Sequence, residues 1–172
     1  MRRLSRETGL TVVLSLLGTA GPVVTLVSEI GTIPILVTVR VGTTLEMDSA
    51  QGQLFLHFSR DRESFTKYWE SLEPDERRAV EEKVAATAKT GMARASAPMG
   101  MSILAAPVFD DHDIAATIAV VGMPSDEKEV AAALRRAAFR ITAEMGGTDM
   151  WRSQIPGGAE DADGEAASQE AS

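Results

Sequence analysis

Gly100-Met-Ser-Ile-Leu-Ala-Ala-Pro-Val-Phe-Asp110 and, after a short polar link, Ile114-Ala-Ala-Thr-Ile-Ala-Val-Val-Gly122 decide how this chain folds. Both runs are apolar, and Asp110-Asp-His-Asp113 joins them. Two such runs around a cluster of turn formers predict a β-hairpin, over about 101–109 and 114–121. Upstream, Pro34-Ile-Leu-Val-Thr-Val-Arg-Val41 puts Ile35, Val37, Val39 and Val41 on one face and Leu36, Thr38 and Arg40 on the other. That alternation predicts a further strand over 34–41.

The N-terminal third extends the same theme. Arg2 to Glu7 reads as the end of a helix, stopped at Thr8-Gly9. Thr8 to Ser28 carries no formal charge and follows Arg2 and Arg3, so it imitates a signal peptide or a membrane span. Gly18-Thr-Ala-Gly-Pro22 interrupts it, and Pro and Gly inside an apolar run suit a turn between strands. Strands are therefore expected over 11–17 and 22–29.

Helices follow. Asp48 or Ser49 is placed to cap a helix running to about Phe58. Pro74 suits a first helical position, with Asp75 and Glu76 favoured by the dipole, Val80, Val84 and Ala88 on one face, and Gly91 as the stop. Ser125 is expected to cap a last helix striped by Val130, Leu134, Ala137, Ile141 and Met145. The order predicts an α+β fold, one mainly antiparallel sheet flanked by helices. The expected division is an ordered domain over 1–147 and a disordered acidic tail over 148–172, which has almost no large apolar side chain after Ile155.

Composition narrows function. At 172 residues, 44% apolar and 24% charged, the chain reads as an ordinary globular domain. Asp149, Glu160, Asp161, Asp163, Glu165 and Glu170 against Arg152 place −5 of the −8 net charge in the tail. No basic stripe exists, so nucleic acid binding by this chain alone lacks its electrostatic footprint. The absence of cysteine excludes disulfides and thiolate chemistry and is compatible with a cytoplasmic location.

Catalytic and metal patterns are weak. Asp110-Asp-His112-Asp offers ligand atoms, but Asp is common in turns for local hydrogen bonds. His57 has no placed nucleophile or acid beside it and reads as a packing residue. The phosphate-loop ending Gly-Lys-Ser/Thr is absent. Arg135, Arg136 and Arg140 form a small basic patch better suited to ion pairs or a subunit contact than to DNA. Tyr68 and Trp69 stand in a connector over 62–72, as a lid, an oligomer contact or simple anchors. Neither enzyme chemistry, a metal nor a cofactor is expected.

Arg6-Glu-Thr-Gly9, Val41-Gly42, Ser49-Ala-Gln-Gly52, Ala105-Ala-Pro-Val-Phe-Asp110 and Gly122 together resemble the effector-binding domain of the isocitrate lyase regulator (IclR) family of bacterial transcription factors. The resemblance runs from about Arg3 to Gly147. It implies a GAF-like fold and a small-molecule effector held between the sheet and neighbouring loops. By motif, the pocket positions fall on Leu36, Met47, Ala50, Gln51, Met101, Ile103, Ala119 and Val121.

The departures from the family pattern carry information. The loop Gly91-Met-Ala-Arg-Ala-Ser-Ala-Pro-Met-Gly100 is shorter than the family's and has no acid, and Arg94 is its one charge. Ile103 stands where the family often has cysteine, and Ala119 and Val121 where it has paired serines. An apolar wall penalises unpaired polar groups. The expectation is therefore a mainly apolar or aromatic effector, with Arg94, Ser96 or Gln51 supplying any polar contact. A pocket filled by Met47, Met99 and Met101 is the competing expectation. The resemblance also implies a homodimer or homotetramer, and operator DNA contacted by a winged helix-turn-helix rather than by this chain. The chain begins inside what resembles the linker helix, so it reads as the sensor half of a regulator or as a standalone sensor. A pure dimerisation module and an enzyme on the same fold are the other classes.

Overall fold

A computed structural model describes residues 1–29, 40–97 and 100–163. Helix α1 (Arg2–Thr8) leads into strands β1 (Thr11–Leu17) and β2 (Pro22–Ser28). Helix α2 (Ala50–Phe58), a single 3-10 turn (Glu63–Phe65), α3 (Thr66–Ser71) and α4 (Pro74–Thr90) follow. Strands β3 (Ala93–Ala97), β4 (Met101–Phe109) and β5 (Ile114–Gly122) precede α5 (Glu127–Glu144) and α6 (Thr148–Gln154), and 158–163 form a last helical turn, α7.

The sheet order is β2-β1-β5-β4-β3, and every pairing is antiparallel. The fold is therefore α+β, as the hairpin and helix pattern predict. Register separates its two faces. Arg94, Leu104, Val120 and Val12 stand side by side on one face, and Ala93, Ala105, Ala119 and Val13 on the other. Helix α5 covers the first face: Glu127 at its start pairs with Arg94, and Val130, Leu134 and Ala138 are buried along its stripe. Helix α2 covers the second, where the Ser15 hydroxyl donates to Gln51 Oε1. Helix α4 packs on α2 and β3, and Gln53 ties the two helices by donating to the Asp48 carbonyl at 2.8 Å and accepting from Thr87 Oγ1 at 3.4 Å.

Local chemistry explains the element ends. Ser49 accepts the Gly52 N–H at 3.2 Å and caps α2. Gly52 allows α2 to lie against the segment before it: a Cβ there would stand 2.3 Å from the Met47 carbonyl oxygen. Glu73 and Glu76 form a capping box ahead of Pro74. Gly91 ends α4 at φ 71°, a conformation that favours glycine.

Several expectations are corrected. Asp126, not Ser125, caps α5, accepting from the Lys128 and Glu129 N–H groups at 2.8 and 3.2 Å; an ionised acceptor also suits the positive end of the helix. The expected loop over 91–100 contains edge strand β3, whose weak Ala-Arg-Ala-Ser-Ala propensity is overridden by pairing with β4. The expected strand 34–41 falls largely on residues outside those described. Of its end, Val41 lies in a turn closed by the Thr43 N–H on the Arg40 carbonyl at 3.0 Å.

The disordered tail expected from 148 is corrected over 148–163. Trp151 is 1% exposed and packs on Phe109 and Phe139, with ring centroids 6.2 and 5.6 Å away. Its Nε1–H donates to Asp161 at 2.8 Å, and Asp161 also pairs with Arg135 at 2.8 Å. Ile155 and Pro156 close over Gly91. Three large apolar side chains, Met150, Trp151 and Ile155, suffice to seat a short segment on an existing core, which average composition hides. Residues 164–172 lie outside the described set. Arg136 pairs with Glu7 of α1 at 2.6 Å, so two of the three α5 arginines serve ion pairs.

Candidate functional site

The sheet face under α2 divides across its strands. On β4 and β5 it is part of the main core, with Ala105, Ala119, Ala50, Leu54 and Phe55 in one cluster. Toward β2, Val13, Val24 and Val121 form a separate apolar cluster, against which Val27, Leu45 and Ile103 pack. Strand alternation brings these side chains together: Val13 lies opposite Val27 on β2 and Ala119 on β5, and Val121 lies opposite Ile103.

A buried polar group lies one strand period nearer the β4–β5 turn than Val13 and Ala119. Ser15 and Thr117 face each other across β1 and β5, and both are fully buried. Ser15 bonds to Gln51, whose side chain is 3% exposed. Thr117 Oγ1 has no hydrogen-bond partner among the described residues. A buried hydroxyl without a partner costs about 1–3 kcal/mol.

The residues expected from the sequence are placed as follows. Ile103 and Val121 meet in the small cluster. Met101 lies one strand period from Ile103, on the same face of β4, and is buried. Ala50, Gln51 and Ala119 are buried, Ala50 and Ala119 in the main core. Met47 is buried in the main core and opens instead onto a groove formed with α3 and α4. Leu36 and Met99 lie outside the described residues.

Arg94 is a correction. It alternates onto the α5 face and pairs with Glu127, and both side chains are about half exposed (60% and 47%). Ser96 shares that face and is exposed. Sequence alone does not say which way an edge strand turns, and one residue of register exchanges its faces. Of the three expected polar contacts, Gln51 is the one on the α2 face. Val13, Val24, Val27, Leu45, Ser15 and Thr117 were not expected. Val13 and Ser15 share a face by simple alternation, but the register shift opposite Leu14 and Ser15 puts Val24 on that face with Val27 rather than with Leu26, and only the sheet order sets them beside Ile103 and Val121.

The other candidates resolve into structure. Asp110, Asp111 and His112 place ligand atoms within 4.8 Å of one another. Asp110 Oδ1, however, accepts the N–H groups of Asp113 and His112, each at 2.8 Å, as a turn requires. Those bonds hold its carboxyl below the usual range, Asp113 contributing more than His112. Asp113 in turn accepts the Arg60 N–H at 3.0 Å and tethers the end of α2 to the hairpin. His57 stacks edge-on to Phe58 with centroids 4.4 Å apart, and burial, then the Arg62 charge, lowers its pKa. Among the described residues no helix is long and apolar enough to cross a membrane.

No protein-family model matches the chain. No curated protein matches it either. Solved structures do. HmgR of Pseudomonas aeruginosa is 24% identical over 84% of this chain and 63% of its own, with a TM-score of 0.69. The IclR of Thermotoga maritima is 21% identical over 84% and 64%, at 0.70. An IclR transcriptional regulator of Alicyclobacillus acidocaldarius is 20% identical over 84% and 64%, at 0.69. The chain therefore has the fold found in IclR-family regulators, as the resemblance implies, and it spans under two thirds of the length of these proteins.

Proposed function

We propose that this chain is the small-molecule effector-binding domain of a transcriptional regulator, and that its effector is mainly apolar or aromatic. The observation that carries the second half is the cluster of Val13, Val24, Val27, Leu45, Ile103 and Val121, which contains no ionisable side chain. Burying apolar ligand surface there is favourable by about 25 cal/mol per Å². Among the described residues that cluster offers a free carboxylate no cation, and Arg94 is turned to α5. Gln51 and Thr117 are the buried polar groups that this reading assigns to orient a ligand hydroxyl. The fold shared with the three regulators supports the first half.

Signalling follows from linkage. An effector that prefers one arrangement of associated subunits shifts their population by its difference in affinity, and DNA occupancy shifts with it. DNA contact belongs to a winged helix-turn-helix acting with this domain, in a homodimer or homotetramer. No catalytic role is assigned, because His57 and the hairpin carboxylates are engaged in packing and turn bonds.

A second reading is a dimerisation module with a filled pocket, favoured by the burial of Val13, Val24, Val121 and Met101 by the chain's own side chains. Calorimetry separates the two. Saturable binding of aromatic compounds with no binding of pyruvate or glyoxylate supports the sensor. Tight glyoxylate binding refutes the apolar effector, and silence toward every compound favours the module.

A further inference from the structure

A second concavity lies away from that cluster. Glu46, Met47 and Asp48, ahead of α2, face Tyr68 and Leu72 and then Glu76, Ala79, Val80 and Lys83 of α4 across a groove of about 300 Å³. Its floor is apolar, since Met47 and Val80 are buried and Tyr68 and Leu72 partly so. Its rim is acidic. Three carboxylates stand against one lysine, and that lysine is already paired with Asp48 at 2.9 Å.

The Tyr68 ring is available to a guest. The nearby Arg77 guanidinium lies over Trp69 at 5.7 Å and pairs with Glu81 at 2.9 Å, and no cation stacks on Tyr68 among the described residues. The Tyr68 hydroxyl lies in the field of the rim: burial first, then Asp48, Glu46 and Glu76, raise its pKa above the ordinary value. A metal ion fits poorly. Among the described residues, the one group of three ligand atoms that converge is Asp110, Asp111 and His112 on the distant hairpin.

We propose that this groove is a second ligand site, which takes an organic ammonium ion carrying a short aromatic or aliphatic body. The body covers Met47, Leu72 and Val80, while the cation sits between the Tyr68 ring and the Glu46 and Asp48 carboxylates. Attraction of a cation to a ring face and to carboxylates makes such a site selective by sign of charge. The site is independent of the effector cluster, so either assignment can fail alone.

The test is an NMR titration of the full chain at low salt with phenethylammonium, and with hydrocinnamate as the anion of similar shape. The expected result is saturable shifts at Tyr68, Leu72, Ala79 and Val80 with the cation only. Glu46→Gln weakens binding about two- to fivefold, the range of a single exposed charge pair. Lys83→Gln tightens it by a similar factor, because Asp48 loses its internal partner; a purely structural role for Lys83 would give no gain. Equal binding of hydrocinnamate, absence of saturable shifts at these residues, or weaker binding in Lys83→Gln overturns the proposal. Shifts at Val13, Val24, Ile103 and Val121 instead also overturn it and report on the effector cluster.

Discussion

Replacing Thr117 by Val should stabilise this protein. The position is fully buried, and its hydroxyl forms no hydrogen bond among the described residues. Val has nearly the same shape, keeps the β-branch that suits a central strand, and puts a methyl group where the unpaired oxygen stands. The penalty relieved is the desolvation of an unsatisfied hydroxyl, about 1–3 kcal/mol, with no bond lost in exchange. A gain of about 1–2 kcal/mol is expected. With a urea slope of roughly 2 kcal/mol/M, the unfolding midpoint moves up by about 0.5–1 M at unchanged slope. Urea unfolding followed by Trp fluorescence and by circular dichroism measures this directly. A loss of 1 kcal/mol or more refutes the reasoning, because it means that the hydroxyl has a partner worth more than its burial costs.

Other substitutions test separate parts of the account. Trp151→Ala removes a 1%-exposed side chain packed on Phe109 and Phe139 and leaves Asp161 with one fewer donor, so a loss of about 3–5 kcal/mol is expected in the same unfolding assay. A loss under 1 kcal/mol would mean that residues 148–163 are not seated. Arg94→Ala breaks a half-exposed pair with Glu127, so stability should fall by less than about 1 kcal/mol and effector affinity should not change. A large loss of affinity would return Arg94 to the site. His57 has a folded-state pKa below its ordinary 6.5, so the folded state binds protons less readily than the unfolded chain. Its contribution is present above pH 6.5 and is lost as pH falls from there through the lowered folded value. Stability of the wild type should therefore decline over that interval, and His57→Asn should decline less. Parallel curves would exclude the assignment.

The frame of this fold was legible because its signals are local. The hairpin over 101–109 and 114–121 needed only two apolar runs and an Asp-rich turn, and the observed strands Met101–Phe109 and Ile114–Gly122 follow it closely. Ser49, Pro74 and Gly91 carry cap and stop chemistry within a few residues, and they stand where that chemistry placed them. What was not legible depends on distant partners. Strand β3 forms because β4 offers an edge, not because Ala93–Ala97 favours extension. Trp151 orders the segment after α5 because Phe109 and Phe139 are there to receive it. The site shows the same division. Ile103 and Val121 came from a motif, whereas Val13, Val24 and Leu45 join them only through the sheet order β2-β1-β5-β4-β3. The lone charge of Arg94 in its loop points to a ligand contact, and the register of β3 turns it to the α5 face instead.

Methyl NMR of the labelled chain during titration with indole or phenol addresses the sensing assignment most directly. The account expects Val13, Val24, Ile103 and Val121 to shift and saturate together, while Val108 and Ile118, buried on the opposite face of the sheet, stay in place. Unmoved valine and isoleucine methyls at the β2 end of the sheet, or shifts confined to the α5 face, would contradict it.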